Sequence, residues 1–159
     1  MVTRTANYGT KAAFGSASNL DALASAAAKP LGEVDNGTTT KADDYSFFLK
    51  MALAASGVSA TGTINIYLLE SQVTGADQTD GISMTATGDQ AANIKTARLI
   101  ATLPANANSQ IVRWNARLLD YVSFVPKFWS LLVENKSGAA LLGASNNDAS
   151  YTPLKEDIA

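Results

Sequence analysis

Apolar and polar residues alternate along much of the chain, most clearly from Tyr45 onward. Tyr45, Phe47, Leu49, Met51 and Leu53 fall on one face, with Ser46, Lys50, Ala52 and Ala54 opposite. A period of two over this length predicts a half-buried strand, and it turns Phe48 to the outer face. After a loop at 57–62, residues 63–71 alternate again, with Ile64, Ile66 and Leu68 inward and Asn65 and Tyr67 outward. Leu99, Ala101 and Leu103 outline a shorter strand ending at Pro104. Val112, Trp114, Ala116 and Leu118 outline another, opposed by Arg113, Asn115 and Arg117. The dense apolar run at 128–134 is short and bounded by Pro126 and Gly138, which predicts a central sandwich strand rather than a helix. A turn follows at 135–138, with 139–142 returning from it. A further turn at Asn146, Asn147 and Asp148 leads to a last short strand at 150–154, closed by Pro153.

The first third supports two readings. Leu20, Leu23 and Ala27 have helical spacing, with Ser18 as a cap and Pro30-Leu31-Gly32 as a stop; the same stretch also fits a strand with an Ala-rich loop. Residues 35–44 form a loop in either case. The Gly-, Asp- and Thr-rich segment 74–96 is too long for a tight hairpin, so it is either a functional excursion or a crossover between sheets. About seven or eight strands separated by turn signals predict an all-β fold. The expected architecture is a two-sheet antiparallel β-sandwich with long loops and Greek-key or jelly-roll connections. No internal repeat or composition break divides the chain, so 1–159 is read as one domain. The polar ends, 1–7 and 155–159, are expected to be short flexible arms.

Composition narrows the function more than the fold. Hydrophobic residues make up 47% of the 159 positions, too many for a disordered chain. Charged residues are only 16%, against roughly 25% in an average soluble domain. A weakly charged, hydroxyl-rich surface suits a protein packed against neighbours. The net charge of −2 comes without any Lys/Arg cluster, so no stripe exists to bind phosphates and no nucleic-acid partner is expected. No apolar run approaches the roughly 20 residues of a membrane span, and the start lacks the apolar core of a signal peptide. Use without secretion or a membrane is the expectation.

The chain contains no His and no Cys. Imidazole-based acid–base pairs, thiolate nucleophiles, disulfides and the usual zinc sites are therefore excluded. Carboxylates remain, as Asp43-Asp44 and as Asp77 with Asp80. Both sets lie in loops where solvation is the default, and a glycosidase would need two of them across a cleft. The stretch from Asp77 to Gly81 has the outline of a calcium loop but lacks its ligand spacing and distal Glu. No catalytic residue, cofactor or metal site is expected. The sharper clue is aromatic: Phe48 and Tyr67 sit at outward positions, and exposed aromatics mark interfaces. Arg113 and Arg117 share one outer face, and Arg is enriched at interfaces too. With Lys155 near the end of the chain, these five are the candidate partner contacts. An aromatic platform would equally bind sugar.

Three stretches also carry a resemblance. Leu23-Ala24-Ser25 leads to Glu33-Val34-Asp35-Asn36; strand 45–53 is followed by Thr63-Ile64-Asn65-Ile66-Tyr67-Leu68; and Val125-Pro126-Lys127-Phe128-Trp129 leads through Val133 to Ser137-Gly138-Ala139-Ala140-Leu141. Together they resemble small virion proteins encoded among tailed-bacteriophage structural genes, including jelly-roll cement, or decoration, proteins. The likeness runs from about Leu20 to Tyr151, and its distinctive part is the Pro-Lys-x-Trp block; Ser130 stands where that pattern has Gly. It implies a protein on the outer surface of the virion that binds the major capsid protein and itself, as a dimer or trimer. The alternative is a tail or head-fibre component, for which carbohydrate is one candidate ligand.

Overall fold

A computed structural model describes residues 4–37, 41–77, 80–143 and 145–158. Its ten strands are β1 (Arg4–Tyr8), β2 (Ala12–Ala13), β3 (Ala28–Pro30), β4 (Val34–Asp35), β5 (Asp44–Ala52), β6 (Thr63–Ser71), β7 (Arg98–Pro104), β8 (Ile111–Arg117), β9 (Phe128–Lys136) and β10 (Asp148–Ile158). One sheet runs β1-β10-β5-β8, with β2 also on β10; the other runs β3-β9-β6-β7, with β4 also on β9. If β1 with β2, and β3 with β4, are taken as two interrupted strands, the pairs are first with last, second with seventh, third with sixth and fourth with fifth. All of these pairs are antiparallel. That is the jelly roll, a long ribbon of paired strands wound into two sheets.

The alternation places the core. Tyr45, Phe47, Leu49 and Met51 of β5 meet Ile64, Ile66 and Leu68 of β6 and Trp129, Leu131 and Val133 of β9 between the sheets. β9 is buried on both faces over all but its last residue, as a central strand should be. Its other face, with Phe128 and Leu132, joins Ala28, Tyr67, Leu69, Ile82 and Met84 in a second apolar cluster outside the sandwich. The long segment after β6 makes that cluster. It crosses between no sheets, because β6 and β7 are neighbours; it folds back instead as a cover over the outer face of β6 and β9.

The cover is held by carboxylates. Asp80 accepts hydrogen bonds from the backbone of Lys95 (2.9 Å) and Ala97 (2.7 Å) and from the Thr96 hydroxyl (2.6 Å). Asp77 accepts from Glu70 N–H (3.3 Å) and Asp80 N–H (2.8 Å). Asp89 bonds Ala28 N–H (2.8 Å) and Ala91 N–H (2.9 Å). These side chains act as loop clamps, with Asp77 buried and Asp80 and Asp89 still reaching solvent; Gln78 and Thr79, within the calcium-like stretch, lie outside the described residues. The Thr96 hydroxyl, then the Lys95 N–H, hold the Asp80 carboxyl down to about 2. A depressed carboxyl contributes fully above its unfolded value of about 3.9 and is lost as pH falls through the folded value. Asp80→Asn is therefore expected to speed amide exchange across 80–97 severalfold at neutral pH while the sandwich melts as before. Wild type should reach the same state only on acidification from pH 4 towards about 2.

Several sequence expectations change. The first third forms no long helix: after a short 3₁₀ turn at Ala17–Leu20, Ala22 and Ala26 adopt positive φ of 53° and 64°, and the chain enters β3. Residues 139–142 supply only one bridge, Leu53 to Leu141. β10 does not close at Pro153 but runs to Ile158. A bulge between Ile66 and Tyr67 shifts β7 by one residue, leaving Leu99 50% exposed. The ends, read as free arms, are paired with each other from Arg4 opposite Ile158 to Tyr8 opposite Leu154. Residues 1–3 and 159 of those arms lie outside the described residues.

Candidate functional site

Winding of the ribbon sends the connections alternately to the two ends of the sandwich. At one end the turns bond to each other: Ser59 N–H donates to Ser137 O at 2.7 Å, Ala105 N–H to Gly62 O at 2.9 Å, and Leu141 N–H to Leu23 O at 3.0 Å. The other end carries residues 36–37 and 41–43, loop 118–127, the base of the cover, and the paired chain ends. Here the surface turns apolar. Tyr8 is 74% exposed, Phe124 65% and Leu119 39%. Leu119 and Phe124 line a cleft of about 690 Å³ with Asn36, Lys41, Asp43, Gln72 and Lys127.

One buried carboxylate organises this end. Asp44, at the start of β5, is almost fully buried and meets Arg117 Nε at 2.6 Å. Its other oxygen accepts from Tyr45 N–H at 2.7 Å and Leu119 N–H at 2.9 Å. Arg117 N–H bonds Asp120 at 3.0 Å, closing the short turn Leu118–Asp120. Asn36 does the same for the opposite wall: its side-chain oxygen accepts from Ala42 N–H and the Tyr45 hydroxyl, both at 2.8 Å. Burial, with Tyr151 and Asp35 nearby, raises the Tyr45 hydroxyl to about 12, so it stays a donor. Both cleft walls are thus tied to β5, and Asn36 N–H also bonds Lys127 O at 2.8 Å, joining one wall to the other.

The five sequence-derived contacts separate. Phe48, Arg113 and Arg117 share the outer face of β5 and β8 through the pairs Phe48–Asn115, Lys50–Arg113 and Ser46–Arg117. Phe48 is half-buried, with Lys11 Nζ 5.8 Å from its ring centre. Arg113 is exposed, and Arg117 is engaged with Asp44. Tyr67 is no contact residue: it does point outward from its sheet, but the cover leaves it 9% exposed. Its hydroxyl donates to Glu134 at 2.9 Å, and burial, then that bond, raises it to about 12. Lys155 is exposed on the terminal ribbon, opposite Asn7. Tyr8, Leu119 and Phe124 were not singled out in the sequence. Their only signal was an aromatic in a loop that ends at Pro126, and a Tyr in a polar terminus.

Acidic side chains at this end cap backbone or pair with Arg, and among the described residues no three potential ligands gather around a metal-sized site. Comparison with protein-family models and with curated protein sequences returns no match. The cleft at this end is lined by apolar side chains, two lysines, the Asp43 carboxylate and several amide and hydroxyl groups.

Proposed function

We propose that this chain is a cement protein of a tailed-bacteriophage capsid, bound to the outer surface of the shell by the end that carries Tyr8, Leu119 and Phe124. The observation behind this reading is a difference between the two ends of the jelly roll. One is tied together turn to turn and exposes only Ile111 and Leu142 among its described large apolar residues. The other carries the more exposed rings of Tyr8 and Phe124, with Leu119 and Phe124 lining a cleft. The resemblance of the Pro126–Lys127–Phe128–Trp129 block to virion proteins supports it, since that block leads directly from the cleft wall into β9. Action is by binding alone. The rigid sandwich spans neighbouring capsid subunits, and apolar contacts at its end resist their separation. A net charge of −2 suits an outer position better than one facing packaged DNA.

The test uses particles lacking the protein. Phe124→Ser with Leu119→Ser is expected to weaken co-sedimentation by roughly tenfold or more, the effect of losing an aromatic anchor. Melting of the free protein should hardly change, because exposed positions outside the core contribute within about 0.5 kcal/mol. Undiminished attachment would remove this end from the interface. A second reading, a fibre component that binds carbohydrate, is favoured by the exposed ring of Phe124 beside Asn36, Asp43 and Gln72. Saturable binding to a glycan array, lost in Phe124→Ser, would select it.

A further inference from the structure

The paired chain ends leave the sandwich as a two-stranded ribbon. β10 pairs with β5 as far as Leu154, opposite Asp44. Beyond it, Lys155, Glu156, Asp157 and Ile158 pair with Asn7, Ala6, Thr5 and Arg4 of β1. Two strands standing clear of a sheet are marginally stable at best in water, and an edge strand is a template for another chain.

One hydrogen bond fixes which groups β1 turns outward. Gly9 N–H donates to Pro153 O at 2.8 Å, so Gly9 and Pro153 are a bonded pair. Bonded and non-bonded pairs alternate along an antiparallel ladder. Tyr8–Leu154, Ala6–Glu156 and Arg4–Ile158 are then the non-bonded pairs. The backbone N–H and C=O of Arg4, Ala6 and Tyr8 consequently point away from β10, out of the sheet.

We propose that β1 pairs with β1 of a second copy of this chain, antiparallel, with Ala6 opposite Ala6, so that two sheets join across a two-fold axis. In this register Arg4 faces Tyr8 and Thr5 faces Asn7. Each Ala6 exchanges both backbone bonds with its twin, and Arg4 does so with Tyr8, so every outward residue falls in bonding phase. A small residue lies on the axis and no like charges oppose. The competing edge, β10 beyond Leu154, fails that criterion: in-phase self-pairing centred anywhere in 155–157 sets Lys155, Glu156 or Asp157 opposite its own twin, and like charges directly opposite are destabilising. Charge selects β1, and the interface is self-complementary, as a two-fold requires. It goes beyond the capsid reading and does not depend on it.

The chain contains no cysteine, so Ala6→Cys places one thiol per copy. Bonded antiparallel pairs set Cα atoms about 5.5 Å apart, inside the roughly 4.4–6.8 Å a disulfide spans. The full chain should scatter light as a dimer, and Ala6→Cys should oxidise to a covalent dimer. Thr5→Cys should not, because its twin lies on the diagonal. Ala6→Pro removes an outward N–H while sparing every β1–β10 bond, so it should be monomeric with an unchanged melting temperature. A monomeric wild type, a dimer that survives Ala6→Pro, or equal cross-linking of Thr5→Cys would overturn the proposal. A monomer whose attachment to particles is lost in Ala6→Pro would give the edge to the shell instead. No particle enters the first measurements, so their failure is distinct from failure of the capsid reading.

Discussion

Replacing Trp129 with Ala is expected to destabilise the protein by about 3–5 kcal/mol, the range for emptying a large buried aromatic site. Trp129 is fully buried at the centre of a ring cluster, with centroids of Tyr45 at 5.1 Å, Phe14 at 5.7 Å, Tyr151 at 6.0 Å and Phe47 at 6.2 Å. Those four rings come from β5, β10 and the loop after β2, in or beside the sheet opposite β9, so the Trp129 side chain joins the two sheets. Four large neighbours cannot all collapse into the space it leaves. Its indole N–H has no hydrogen-bond partner among the described residues, and a buried unpaired donor costs about 1–3 kcal/mol. Trp129→Phe is therefore expected to cost much less than Trp129→Ala, since lost volume is offset by removal of that donor. Thermal and denaturant melts of both variants decide the point. An Ala variant as stable as wild type, or a Phe variant equally damaged, would contradict it.

The strands were legible because period two is a local signal that folding does not rewrite. β6 runs over the residues its alternation marked, and the Trp129, Leu131, Val133 face of β9 points into the core. What parity cannot say is whether an outward face is wet. Tyr67 lies on the side that alternation assigns, yet Ile82 and Met84, two apolar residues scattered in a Gly- and Thr-rich stretch, cover it. Sparse apolar residues in a long polar segment carry no period, so the second layer left no trace in the pattern.

The first third stayed open between two readings for a related reason. Leu20, Leu23 and Ala27 are spaced for a helix, and Leu20 and Leu23 are indeed fully buried. Their backbone carbonyls, however, accept from side chains far along the chain: Asn147 reaches Leu20 O at 3.2 Å and Asn135 reaches Leu23 O at 2.9 Å. Partners more than a hundred residues away replace the bonds of a helix, and no window of local sequence contains them. The candidate site had the same character. Asp44 read as half of a solvated acidic pair because Arg117, which buries it, is on a strand that only the sheet register brings alongside.

That register makes Asp44→Ala the second large effect. The substitution removes the acceptor of Tyr45 N–H and Leu119 N–H together with the partner of Arg117. Arg117 is more than half exposed and rehydrates at little cost, so the penalty comes from the two backbone donors left behind. A hydrogen bond to a charged group contributes about 1.5–3 kcal/mol, and the loss is expected to total about 3 kcal/mol. Asp44→Asn should recover roughly half of it: its oxygen can still accept both N–H groups, while its NH₂ confronts the Arg117 guanidinium, donor against donor. The damage should be local as well as global. Leu119 N–H is the point at which Asp44 holds loop 118–127, so amide exchange there should rise before the sandwich melts, and Phe124 should lose its position at the cleft. Under the capsid reading, Asp44→Ala protein still folded at low temperature should then attach to particles less well than its melting curve alone requires. Denaturant melts within about 0.5 kcal/mol of wild type would show that the buried pair does not hold this end.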